Sequence, residues 1–76
     1  MTEDEQIATI VSNAKDAPTQ IGVFVDDHKV KRFVRKIRAG LPAADFKVEV
    51  LPSPVKGLAV KTIIIKRRVE RDPASN

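Results

Sequence analysis

Two apolar stripes at helical spacing bracket a run that is too short and too β-branched for a third helix, and this alternation limits the folds open to the chain. Ile7, Ile10, Val11 and Ala14 fall at i, i+3, i+4 and i+7, and so do Val30, Phe33, Val34 and Ile37. Thr2-Glu3-Asp4-Glu5 has the form of a capping box, and acids at a helix start suit the positive end of its dipole. The first helix is therefore expected over 3–15, stopped by Pro18. The second is expected over 28–39, with Asp27 as N-cap, Gly40 as a left-handed C′ residue and Leu41-Pro42 as the stop.

Ile21 to Val25 is apolar throughout and suits a strand covered on both faces. Phe46, Val48 and Val50 alternate with Lys47, Glu49 and Leu51, which predicts a strand over 46–51. Pro52-Ser53-Pro54 forces a turn, and a last strand is expected over 58–68, before a frayed tail at 72–76. The order α-β-α-β-β predicts an α+β two-layer sandwich in one domain, with both helices on one face of a three-stranded sheet. That sheet is expected to be mixed, the first two strands parallel and the last two an antiparallel hairpin. The last strand belongs in the middle, because Ile63-Ile64-Ile65 is apolar on both faces. If Ile21, Val23 and Val25 face the helices, Phe24, Leu51, Ile63 and Ile65 are expected on the outer face, where they offer a homodimer interface.

Charge narrows the function. Residues 1–27 hold six acids and one base, net −5, whereas residues 28–76 hold thirteen bases and four acids, net +9, leaving +4 for the 76 residues. Such asymmetry points towards a polyanion. Lys29, Arg32, Arg35 and Lys36 form a ridge on the second helix, with no acid between Lys29 and Arg38. Lys56 beside Gly57, together with Lys66, Arg67 and Arg68 and followed by Arg71, forms a second basic arm on the hairpin. The expected function is nucleic-acid binding through phosphate contacts, to DNA or RNA, by counterion release with weak sequence preference. The alternative is a small dimeric interaction module, an adaptor or inhibitor, docking its basic face on an acidic protein. A solvated basic face, or one paired with the acids of the first helix, would explain the ridge without any partner.

An enzyme is not expected. Asp26-Asp27-His28 is the one candidate for a Mg²⁺-dependent site, and helix capping accounts for its acids. Without cysteine there is no disulfide, thiolate zinc site or cysteine nucleophile, and no metal or cofactor is expected. Apolar runs are far below the ~18 residues of a membrane span, and the acidic start is unlike a secretory signal, so a cytoplasmic location is expected. The arrangement resembles small α+β nucleic-acid binders in architecture alone. An RNP-type aromatic strand, a GXXG clamp and helix-turn-helix spacing are all missing.

Overall fold

A computed structural model describes residues 2–68. Its elements are α1 (Glu3–Asp16), β1 (Gln20–Asp26), a 3₁₀ turn (Asp27–Lys29), α2 (Val30–Gly40), β2 (Phe46–Leu51) and β3 (Val60–Arg67). Arg71 and the tail at 72–76 lie outside the described residues. The capping box forms, with Thr2 Oγ1 accepting from the Glu5 amide at 3.2 Å. The Glu5 carboxylate accepts from the Thr2 hydroxyl rather than from its backbone.

The sheet order is β1-β3-β2, so the last strand is central. The expected mixed sheet is not found, because both ladders are antiparallel. β3 runs against both neighbours, so β1 and β2 share a direction without sharing a hydrogen bond. The crossover rule fixes the common direction of β1 and β2 but does not make them hydrogen-bonded neighbours, and a central β3 that runs against both leaves only antiparallel ladders.

Register fixes the faces. Ile21 pairs with Ile65 and Ile65 with Val48, while Val23 pairs with Ile63 and Ile63 with Val50. These rows face the helices, where Ile63 and Ile65 are 0% and 1% exposed and pack with Ile7, Phe33, Ile37 and Phe46. The expectation of Ile63 and Ile65 on the outer face is thus corrected. Their place there is taken by Ile64 and Thr62, paired with Gly22 and Phe24. Phe24 at 70% and Leu51 at 45% exposure do lie on the uncovered face, so β1 is covered on one side only.

Both ends of α2 also differ from expectation. Asp27 caps nothing; Lys29 occupies the N-cap position without a side-chain bond, and the Asp27 carboxylate meets Lys61 Nζ at 3.3 Å. Gly40 is the last helical residue and has no positive φ, unlike Gly57 at φ 88°. A Cβ on Gly40 would lie 3.0 Å from Val11 Cγ2, so its bare backbone lets α1 and α2 approach. Glu3 meets the first half of α2 and Val11 its end, so the helices run side by side in the same sense.

Candidate functional site

Helical geometry divides the cations of α2 into two flanks. At about 100° per residue, Lys29, Arg32 and Lys36 fall on one side of the apolar Val30/Phe33/Val34/Ile37 stripe, and Lys31, Arg35 and Arg38 on the other. The first flank faces α1. There Arg32 Nη2 and Nε grip the Glu3 carboxylate at 2.6 and 2.7 Å, and Lys36 Nζ bridges Glu3 at 3.0 Å and Asp4 at 3.1 Å. Hydrogen bonds from Arg32 and then Lys36 hold the Glu3 carboxyl down at about 2, from an ordinary 4.5. Glu3 in turn pushes both cations up. Two of the four ridge residues are thereby neutralised within the molecule.

The hairpin arm is likewise engaged. Lys66 and Lys47 share Glu49, at 3.5 and 3.1 Å, and hold its carboxyl below the ordinary range, Lys47 contributing most through its hydrogen bond. Arg67 Nη2 donates to the Lys15 carbonyl at 2.6 Å and the Ala17 carbonyl at 3.3 Å, at the negative end of α1, while its guanidinium lies 5.0 Å from the Phe46 ring centre. Arg68 Nε donates to the Ala43 carbonyl at 2.9 Å. These two arginines serve as fold ties. Lys56 projects beside Gly57, in a loop braced by Ser53 Oγ, which accepts from the Val55 amide at 3.0 Å.

The second flank of α2 is different. Lys31, Arg35 and Arg38 make no ion pair among the described residues, and they rim a shallow trough floored by Val30, Val34 and Val50. Its volume is about 410 Å³. Val50, on the edge strand β2, remains 42% exposed because the helices leave that edge partly uncovered. Arg38 is also the wall of a neighbouring hollow lined by Leu41, Phe46, Lys47, Val48 and Arg68. Among the described residues no carboxylate lines either depression. Of the expected ridge residues only Arg35 belongs here; Lys31, Arg38 and Val50 join it from outside the expected set, and the helical angles of the two cations already separate them from Arg32.

Among the described residues no three His, Asp or Glu side chains are grouped to hold a metal ion, and Asp27 of the Asp26-Asp27-His28 candidate is taken by Lys61. No described helix is long and apolar enough to cross a membrane. No family model, no curated protein and no solved structure matches the chain. The candidate site therefore rests on chemistry alone. It is an apolar floor with a cationic rim, open to solvent along one edge of the sheet.

Proposed function

We propose that the protein is an interaction module that takes an acidic amphipathic segment of a protein partner in the trough between α2 and β2. One observation carries this reading. Arg32 and Lys36 on the α1 flank are already paired, while the cations on the β2 flank stand over apolar side chains with no carboxylate among them in the described residues. An amphipathic helix places aliphatic side chains and carboxylates at the spacing such a trough accepts. The rim steers the encounter and fixes orientation, and burial of Val34 and Val50 supplies affinity.

Nucleic-acid binding is the second reading, favoured by the net +4 and by Lys29, Arg35 and Lys56, which have no ion-pair partner among the described residues. It ranks lower for two reasons. A phosphate backbone gains nothing from a valine floor, and no aromatic ring lines that trough for a base to stack on.

Nuclear magnetic resonance titration distinguishes the two. The probes are a 16-residue amphipathic peptide with leucines on one face and glutamates beside them, and a 16-nucleotide single strand and duplex. The peptide is expected to shift Lys31, Val34, Arg35, Arg38 and Val50, with affinity falling about tenfold in Val50→Asp. Tighter binding of either oligonucleotide, with Val50→Asp neutral, would reject the trough as a peptide site.

A further inference from the structure

Among the described residues no strand pairs with the outer edge of β1, and that edge has the features of a self-pairing strand. Arg67 donates to the Thr19 carbonyl at 2.8 Å and Asp27 to the Ala59 carbonyl at 3.1 Å, bracketing the β1–β3 ladder. In an antiparallel ladder the residues that bond across the pair alternate with residues that do not. The odd-numbered residues therefore bond to β3, and Gly22 and Phe24 turn their N–H and C=O towards the open edge. From Ile21 to Val25 that edge has no charge and no proline, the usual protections against strand addition. The opposite edge, β2, carries Lys47 and Glu49 and runs into Pro52.

We propose that this edge pairs antiparallel with the same edge of a second copy, with Val23 facing its own counterpart across a two-fold axis. That register sets Gly22 opposite Phe24 of the other copy, twice over. A Cβ on Gly22 would lie 3.1 Å from Ile64 Cδ1, so Ile64 already leans over the bare glycine. The incoming phenyl ring thus lands on Gly22 and Ile64, and the 70% exposed Phe24 is covered.

On the helix side, the hollow beside this edge is lined by Thr9, Ile10, Val25 and Phe33 and has a volume of about 550 Å³. The same register puts the second copy's Ile21 opposite Val25, at that hollow. Charge agrees as well. Asp26 of one copy comes opposite Gln20 of the other, in the cross-strand row that continues through Lys66 and Lys47, and the two aspartates stay at opposite ends. A second copy satisfies every one of these positions at once. The surface is separate from the α2–β2 trough, which lies at the other edge of the sheet, so the two proposals stand or fall independently.

The register is tested with cysteines, since the chain has none of its own. Sedimentation equilibrium from 10 to about 500 μM is expected to show a monomer–dimer equilibrium. Under mild oxidation Val23→Cys is expected to form a disulfide dimer. Val25→Cys is expected not to, because its counterpart lies roughly 13 Å along the strand, beyond the ~7 Å limit for bridging. Phe24→Pro removes the phenyl ring and an outward N–H without taking a hydrogen bond from β3, and both it and Phe24→Lys should weaken the dimer at least tenfold with the circular dichroism spectrum retained. Leu51→Lys, on the same face but away from this edge, should leave association unchanged. A monomer at every concentration, equal cross-linking of the two cysteine variants, or dissociation by Leu51→Lys would each overturn the proposal.

Discussion

Arg32 closes on Glu3 as a two-point fork, Nη2 to Oε1 at 2.6 Å and Nε to Oε2 at 2.7 Å, across 29 positions of sequence. Such bidentate pairs are the directional form of charge-assisted hydrogen bond. Lys36 joins the same carboxylate, so one acid at the start of α1 organises two cations of α2. The long acidic-to-basic drift along the chain is thereby partly cancelled in space.

Acid titration follows from this clamp. Glu3 titrates at about 2 in the folded chain, against an ordinary 4.5. The unfolded chain binds that proton more tightly, so the clamp stabilises the fold above pH 4.5 and is lost as pH falls towards 2. The melting temperature should fall over that interval, and the part of the fall due to Glu3 should vanish in Glu3→Gln and shrink in 1 M salt. Thermal melts at pH 5, 3.5 and 2 check this.

Glu3→Gln also releases cations. With Arg32 released and Lys36 left to Asp4 alone, retention on heparin should increase, and the log–log salt dependence of polyanion binding should steepen by about one unit. Unchanged retention would mean that Asp4 alone is enough to hold the flank neutral.

Arg67 is expected to matter more for stability than for binding. Its guanidinium satisfies carbonyls at the end of α1 and lies over Phe46. Arg67→Ala should cost about 1 kcal/mol and loosen the last turn of α1. Hydrogen exchange at residues 14–17 and urea unfolding report the two effects, and Arg67→Lys, lacking the fork, should recover only part of them.

The strand faces give a third stability test. Ile63→Ala empties a fully buried site and should cost about 2–4 kcal/mol. Phe24→Ala, one strand away on the open face, should stay within about 0.5 kcal/mol when unfolding is followed at low micromolar concentration. A reversed order would mean that the sheet presents its other face to the helices.

What was legible in the chain was local. The stripes at Ile7 to Ala14 and Val30 to Ile37 located both helices, and alternation from Phe46 to Leu51 located β2 to the residue. Double-sided apolarity at Ile63-Ile64-Ile65 placed β3 in the centre. The same run hid the phase of that strand, because three consecutive isoleucines satisfy either face. Only pairing with Ile21 and Val48 decides it, and pairing is non-local. Gly40 was open to misreading for a similar reason. Its backbone is needed by Val11 on another helix, not by a turn of its own. The trough was obscured because Val50 reads as an ordinary core residue of β2 until the helices are seen to stop short of that edge.

The clamp at Glu3 has a consequence for selectivity. A phosphate oxygen approaching Arg32 or Lys36 finds the place held by a tethered rival whose local concentration no dissolved anion readily matches. Contact with an outside anion at these two side chains therefore carries the cost of displacing an incumbent, a cost that a ligand on the far side of the helix does not meet.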